Sequence, residues 1–321
     1  MKALKDRITA LWLKIPKPYP ALAKLAANYD SQLRKGAEIL FLGDSVVERI
    51  AWQDIDKRTI DRMLKDLLPS NKRVVCISQG AYHFNIYLNL LNLLRHMRHK
   101  PKLVILPINM RCFSPQWDLN PAWQFEEEIR ALQTYPETRK IPAIRINADA
   151  IPFPQTDWNT EFEFPYTDLK RVEQFFNLTK NIPQDPEGKF YRRKQLYIFH
   201  YLNELHADHR RLTSFIKIMD LLKELKINVL TYITSINYQG AIRYVGEGFI
   251  ERVRSNADLV KGIVQPYIDS GQVCFLDLQE YLTSENFFHM DELTEHLNQF
   301  GRIKIAQALA QEIKKNSEWF E

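Results

Sequence analysis

Short apolar runs alternate with helical segments along most of the chain, and this alternation constrains the fold more than any other feature. The runs that are typical of strands cover residues 39–42, 73–78, 102–107, 228–234 and 273–278. Continuous apolar runs of this length are typical of strands buried on both faces, and intervening helices supply the crossovers that parallel strands need. The sequence therefore predicts an α/β fold with five parallel strands and helices on both faces, the doubly wound flavodoxin-like plan.

Helical periodicity fills the gaps between these strands. The predicted helices run from the end of the first strand to about residue 66, and over about 85–96, 209–225, 248–269 and 299–314. Their apolar positions recur at helical intervals, which predicts that each helix packs one face on the sheet.

The alternation stops between about residues 113 and 205, which are rich in Pro, Trp, Phe and Tyr. A loop-rich excursion of this length within a compact domain is typically a lid or a binding insertion. The alternative is that the aromatic side chains only pack the insertion onto the sheet. We expect residues 1–36 to form an N-terminal helical extension and residues 37–321 to form the α/β domain that carries the insertion.

Composition narrows the class of function. The 321 residues carry a formal net charge of +5, and the basic residues are spread along the chain, which argues against nucleic-acid binding and leaves room for an anionic partner such as a phosphate-bearing carrier. Cys76, Cys112 and Cys274 have no metal-like spacing, and no apolar run reaches about 18 residues. We expect a cytoplasmic protein with no membrane span, no cofactor and no metal; its oligomeric state is left open.

Three polar positions directly follow the first three predicted strands. Gly43-Asp44-Ser45 ends the first, Gly80 follows the second, and Asn109 follows the third. Because the carboxyl ends of neighbouring parallel strands meet at one edge, these residues are expected to lie together, where open α/β sheets bind ligands. Taken alone, Ser45 is also a suitable N-cap for the next helix, and Gly80 a simple turn residue.

A fourth polar segment, residues 289–298, follows the fifth strand and leads into the last helix. Acyl transfer needs a nucleophile, a base and donors for an oxyanion. Ser45 is the predicted nucleophile and His296 the predicted base, with a carboxylate to orient the imidazole. Asp291 is the simplest choice for that carboxylate, and Glu292 and Glu295 stay open. The backbone N–H groups of Ser45 and Gly80 and the amide of Asn109 are the predicted oxyanion donors.

These four segments, in this order, resemble the four sequence blocks of the SGNH, or GDSL-like, hydrolase superfamily. Gly43-Asp44-Ser45 is similar to the first block, Gly80 and Asn109 take the positions of the second and third, and His296 takes that of the base in the last. Two departures indicate a divergent member. The family's Asp normally precedes the His by three residues, where this chain has Leu293, and the Gly-x-Asn-Asp of the third block reads Pro107-Ile108-Asn109-Met110.

The resemblance implies a metal-independent serine esterase, thioesterase or acyltransferase that acts on a small-molecule or carrier-bound acyl ester or thioester. The alternative hypothesis is a catalytically silent protein of the same fold that binds an acylated or glycosylated ligand. A nucleotide-binding function is less consistent with the sequence, because the chain has no Gly-rich phosphate loop and no Walker lysine.

Overall fold

Five parallel strands form a single sheet. A computed structural model describes residues 31, 33–138, 162–290, 293 and 295–320 of the chain. The strands are β1 (Ile39–Gly43), β2 (Val74–Ser78), β3 (Leu103–Ile108), β4 (Asn228–Ile233) and β5 (Val273–Asp277). Their order in the sheet is β2-β1-β3-β4-β5, and every neighbouring pair is parallel. The predicted doubly wound five-stranded sheet is therefore confirmed.

The helices cover both faces of this sheet. They are α1 (Ser45–Glu48), α2 (Ile60–Leu67), α3 (Phe84–Asn92), α4 (Pro115–Asp118), α5 (Glu126–Thr138), α6 (Val172–Lys180), α7 (Pro186–Tyr201), α8 (Arg210–Glu224), α9 (Tyr238–Val245), α10 (Gly248–Asp269) and α11 (Gln299–Lys315). Short 3₁₀ turns include Leu93–His96, which follows α3, and Met110–Phe113, which follows β3.

Alternate residues of each central strand enter two separate cores. In β1, Ile39 and Phe41 pack into the core that α2 and α11 cover, whereas Leu40 and Leu42 pack into the larger core on the other face. All four side chains are at most 1% exposed. Full burial of such a side chain contributes about 1.5–3 kcal/mol each, so the sheet centre is held firmly and its carboxyl edge is well positioned.

The first predicted helix is shorter than expected. The helical periodicity predicts one helix from the end of β1 to about residue 66, but α1 ends at Glu48 and α2 begins at Ile60. The intervening segment finds hydrogen bonds elsewhere: Arg302 donates to the carbonyl oxygens of Asp56 (2.6 Å) and Arg58 (2.9 Å). A distant arginine therefore replaces the helical partners of these carbonyl groups, which no local pattern indicates.

The predicted insertion contains helices α4 to α7, and its residues 139–161 lie outside the described part of the chain. Its described aromatic rings pack closely on one another; the ring centroids of Phe175 and Phe199 are 4.3 Å apart, and Phe175 is fully buried. Asp118 of α4 forms ion pairs with Arg210 and Arg211 of α8. These contacts fasten the described part of the insertion to the α/β domain.

Most of the predicted N-terminal extension, residues 1–30 and 32, also lies outside the described residues. In the part of the chain that is described, none of the helices combines the length and the apolar character that a membrane crossing requires.

Candidate active site

The sheet register brings three of the four predicted segments to one edge. Gly43 of β1 pairs with Ser78 of β2, and Phe41 of β1 pairs with Ile105 of β3. Ser45, Gly80 and Asn109 therefore follow the carboxyl ends of three strands that are neighbours in the sheet. This edge is where a doubly wound sheet forms its ligand sites.

Ser45 is the first residue of α1 and is half-buried. Asp44 caps this helix, because its Oδ1 accepts a hydrogen bond from the Val46 N–H at 2.8 Å. A side chain at Gly43 is excluded by packing, since a Cβ there would lie 2.7 Å from the buried side chain of Val47. Asp44 thus serves as the N-cap, and Ser45 is not needed for that purpose.

Asn109 joins the ends of β1 and β3. Its Nδ2 donates to Asp44 Oδ2 at 2.6 Å, and its Oδ1 accepts from the Arg111 N–H at 3.0 Å. Burial raises the pKa of Asp44, and the hydrogen bonds from Asn109 and Val46 and the charge of Arg111 oppose this rise. An amide nitrogen carries two hydrogens, so Asn109 keeps a second N–H that a ligand can use.

Gly80 lies in a tight turn, in which the Tyr82 N–H donates to the Gln79 carbonyl at 3.1 Å. A Cβ on Gly80 would meet only Glu48 Oε1, at the ordinary contact distance of 3.6 Å. The left-handed backbone of the turn is at Ala81, with φ of 66°. Neither packing nor backbone geometry therefore requires a glycine at position 80. Burial raises the pKa of Glu48, and the interaction of its carboxylate with the Gly80 N–H opposes that rise.

His296 precedes α11 and is half-buried. Its carbonyl accepts from the Phe288 N–H at 2.9 Å, and its ring packs on that of Phe288. Burial lowers the pKa of His296 to about 3, helped by the charges of Arg111, Arg49 and His289. The imidazole is therefore neutral at pH 7, which is the form that can accept a proton.

Glu295, the residue before His296, forms its hydrogen bonds with groups other than the imidazole. Glu295 is 1% exposed and accepts hydrogen bonds from the Tyr201 hydroxyl (2.7 Å) and the Thr234 hydroxyl (3.3 Å). Burial raises the pKa of Glu295 to about 7, against the charge of Arg111 and these hydrogen bonds. Asp291 and Glu292, the two other predicted acids, lie outside the described residues.

Within the described part of the chain, Ser45 and His296 form no hydrogen bond with each other, and no carboxylate bonds the His296 ring. Catalytic hydrogen bonds are often long before substrate binds. Two arginines near the strand ends act on the His296 ring through their charge. Arg49, four residues after Ser45, and Arg111, two after Asn109, both lower the pKa of His296.

Arg111 is the residue that the sequence analysis missed. Its charge acts on Asp44, Glu295, His296 and His200, which links the strand ends to the segment before α11. The one available signal was a basic residue two positions after Asn109, and such a residue is common on any surface.

The described residues include no group of three or more His, Cys, Asp or Glu side chains that is arranged to hold a metal ion. Cys76, Cys112 and Cys274 are free thiols. Burial raises the pKa of the Cys112 thiol well above its ordinary value, which makes it a poor nucleophile. The sheet edge that carries Ser45 is thus the best-defined candidate site.

A scan against protein-family models finds no match to the chain, and a search of curated proteins finds none either. Solved structures do match. A catalytic mutant of an acetylxylan esterase from Geobacillus stearothermophilus is 12% identical, with a TM-score of 0.43, over 87% of this chain and 94% of that one.

Two further solved structures match a similar share of the chain. A putative acylhydrolase from Bacteroides fragilis is 12% identical, with a TM-score of 0.40, over 92% of this chain and 97% of that one. An inhibitor-bound aryl esterase from M. smegmatis is 10% identical, with a TM-score of 0.36, over 87% and 99%. All three matches are at low identity, and the three matched structures are of esterases or a putative acylhydrolase.

Proposed function

We propose that the chain is a serine-dependent enzyme of the SGNH type that hydrolyses an acyl ester or thioester or transfers its acyl group. The observation that carries the proposal is the hydrogen bond from Asn109 to Asp44, which ties the third predicted block to the residue before Ser45. This bond holds a buried amide near a serine that the helix does not need as its cap, which supports a ligand site at this edge.

In the proposed reaction, Ser45 Oγ attacks the acyl carbonyl carbon and its proton passes to His296. Collapse of the tetrahedral intermediate breaks the bond to the leaving alcohol or thiol, which takes the proton from His296. The acyl-Ser45 ester is then attacked by water or by another hydroxyl or amine, and His296 again accepts and returns the proton. Asp291 is proposed to orient the imidazole, since Glu295 is bonded to Tyr201 and Thr234.

The proposed oxyanion donors are the Ser45 and Gly80 N–H groups and the second N–H of the Asn109 amide. The Glu48 carboxylate lies beside Gly80, and it must move aside for the Gly80 N–H to serve as an oxyanion donor. The empty space at Gly80 supports a donor role, because a side chain there would keep the carbonyl of the substrate away from the backbone.

The insertion, about residues 113–205, is proposed to cover this edge and to select the acyl or alcohol part of the substrate. Its support is the hydrogen bond at 2.7 Å from the Tyr201 hydroxyl, near the end of the insertion, to Glu295, the residue before His296. Exclusion of water by this cover would favour transfer to a second acceptor over hydrolysis.

A catalytically silent binding protein is the second candidate. The observation that favours it is the placement of two carboxylates, Glu48 beside Gly80 and Glu295 bonded to the Tyr201 hydroxyl. In this case the edge would hold an acylated ligand without forming a covalent bond to Ser45.

Labelling with a fluorophosphonate probe tests the two candidates, with intact mass as the readout. We expect one adduct on the wild-type protein and on the control variant Ser270→Ala, whose hydroxyl bonds the Tyr267 carbonyl at an exposed helix end. Ser45→Ala should give no adduct, and His296→Gln should react at least about a hundredfold more slowly, as loss of a general base predicts. An adduct that persists in Ser45→Ala contradicts the proposal, and a folded protein that gives none favours the silent candidate.

A further inference from the structure

The backbone of Arg111 is held in place at the carboxyl end of β3. It lies in the 3₁₀ turn Met110–Phe113, and its N–H is held by Asn109 Oδ1 at 3.0 Å. The same amide bonds Asp44 at 2.6 Å through Nδ2. One side chain therefore fixes both the residue before Ser45 and the backbone of Arg111.

Among the described residues, Arg111 shares with Arg192 a buried Nε without a hydrogen-bond partner and the lack of an ion pair. Arg302, Arg210 and Arg211 each have a carboxylate within 4 Å. Arg111 has no such ion pair among the described residues, and its buried Nε has no hydrogen-bond partner there. The carboxylates of Asp44 and Glu295, on which its charge acts, are bonded to Asn109 and Tyr201 instead.

Two further buried groups near this turn also lack partners. The hydroxyl of Ser114, which is fully buried, and Nδ1 of His200, which is 4% exposed, form no hydrogen bond within the described structure. The hydrogen bond from Asn203 to the Phe113 carbonyl fastens the 3₁₀ turn to the end of α7, where His200 lies. An unsatisfied buried polar group is costly, and either water or a ligand can supply the missing bonds of these three groups on adjoining segments.

The charges indicate the sign of that ligand. Arg111 and Arg49 both act on the neutral imidazole of His296. A guanidinium presents five N–H donors in a planar fork that matches a carboxylate or a phosphate. We propose that Arg111, with Ser114 and His200, binds an anionic group, a carboxylate or a phosphate, on the substrate that Ser45 attacks. This inference rests on the proposed function, and it makes Arg111 a specificity-determining residue.

Binding of small anions tests the inference without turnover. Isothermal titration calorimetry with succinate, inorganic phosphate and the uncharged analogue succinamide is applied to the wild-type protein, Ser45→Ala, Arg111→Gln and Arg254→Gln. Arg254 is an exposed arginine paired with Glu280 at 2.7 Å, and it serves as the matched control. We expect an anion to bind wild type, Ser45→Ala and Arg254→Gln alike, and Arg111→Gln about tenfold to a hundredfold more weakly, as loss of a charge-assisted hydrogen bond predicts.

The outcomes separate the sources of the anion. Binding of succinate alone identifies a carboxylate-bearing substrate, and binding of phosphate alone a phosphorylated one. Arg111→Lys keeps the charge but loses the planar fork, so it should fall between wild type and Arg111→Gln. Circular dichroism confirms that each variant is folded.

The inference is overturned if neither anion binds, if succinamide binds as well as succinate, or if Arg111→Gln binds as tightly as wild type. Its failure is distinct from failure of the proposed function. A protein that forms the Ser45 adduct but binds no anion is an esterase for uncharged substrates, whereas anion binding through Arg111 without an adduct leaves the edge as a ligand site only.

Discussion

Two arginine sites flank the segments that carry Ser45 and His296, and they differ in how their polar groups are satisfied. Arg302 is fully buried and donates to Asp54 Oδ2 at 2.6 Å and to the carbonyl oxygens of Leu297, Arg58 and Asp56 at 3.0, 2.9 and 2.6 Å. These five residues form the Arg302 clamp. Every nitrogen of its guanidinium has a partner, and the clamp ties the loop after α1 to the start of α11.

At the carboxyl edge of the sheet, by contrast, not every polar group has a partner among the described residues. We call this region the serine edge; its residues are Asp44, Ser45, Glu48, Gly80, Ala81, Asn109, Arg111, Glu295 and His296. It contains a guanidinium without an ion pair among the described residues, carboxyl groups with raised pKa values and a left-handed alanine. Polar burial alone therefore does not mark a functional site. Incomplete hydrogen bonding and a left-handed backbone distinguish the serine edge from the clamp, and both features also occur elsewhere among the described residues, as at Arg192 and Lys226.

The largest expected effect is loss of the Arg302 clamp. Arg302→Met leaves the Asp54 carboxylate, whose side chain is 4% exposed, without its charged partner. Breaking a buried ion pair in this way costs about 3–5 kcal/mol of the free energy of unfolding. Urea denaturation with the midpoint and slope both recorded measures the change.

Arg111→Met is the matched comparison from the serine edge. Since Arg111 has no ion pair to lose among the described residues, this variant should change the free energy of unfolding by less than about 1 kcal/mol. Equal losses in the two variants would remove the distinction between the clamp and the edge.

A smaller effect is expected in the pH dependence of stability, through Glu295. Its folded pKa, about 7, lies above the ordinary value of 4.5, so the folded state binds more protons than the unfolded state between these values. The stabilisation is fully present below about pH 4.5 and is lost as pH rises through about 7. The shift corresponds to about 3 kcal/mol.

Glu295→Gln isolates this contribution. The pKa of His296 is lowered, so its effect has the opposite sign, but His296 is present in both proteins and its effect largely cancels in the difference. We expect the free energy of unfolding of wild type, minus that of Glu295→Gln, to fall by about 3 kcal/mol from pH 4.5 to pH 8. A difference that is flat across this range would show that Glu295 titrates normally.

The sequence predicts the fold well because each part of it depends on local patterns. The runs that became β1 to β5 are short and apolar, and the segments between them have helical periodicity, so sheet and crossovers follow from neighbouring residues. The positions of Ser45, Gly80 and Asn109 at one edge then follow from parallel topology. One prediction was wrong: the first helix ends at Glu48 and not at about residue 66. The segment that follows it is hydrogen-bonded instead by Arg302, which lies far along the chain.

The chemistry of the edge depends on contacts that no local pattern encodes. Three examples are the hydrogen bond between Asn109 and Asp44, the one between Tyr201 and Glu295, and the lack of an ion pair at Arg111 among the described residues. Each results from segments that the fold brings together. The predicted acid Asp291 stays a prediction, because it lies outside the described residues. Likewise, the assignment of Ser45 and His296 as nucleophile and base awaits the labelling experiment.

The smallest expected effect is a gain in stability at Ala81. This residue is 8% exposed and has φ of 66°, a conformation that costs a residue with Cβ about 1–2 kcal/mol and glycine almost nothing. Ala81→Gly removes that cost but also a buried methyl group worth about 0.8 kcal/mol, so the net gain should be at most about 1 kcal/mol.

Ala37→Gly is the control, because Ala37 is buried to a similar extent, 5% exposed, and its φ is not positive. The control should lose about 1 kcal/mol, from the same methyl group and the greater freedom of the unfolded chain. If both variants lose equally, the turn at residue 81 is not strained. If Ala81→Gly is more stable yet reacts more slowly with the fluorophosphonate probe, the strained alanine holds the Gly80 N–H in position. The serine edge, unlike the Arg302 clamp, would then contain a backbone conformation that lowers stability and holds a hydrogen-bond donor in place.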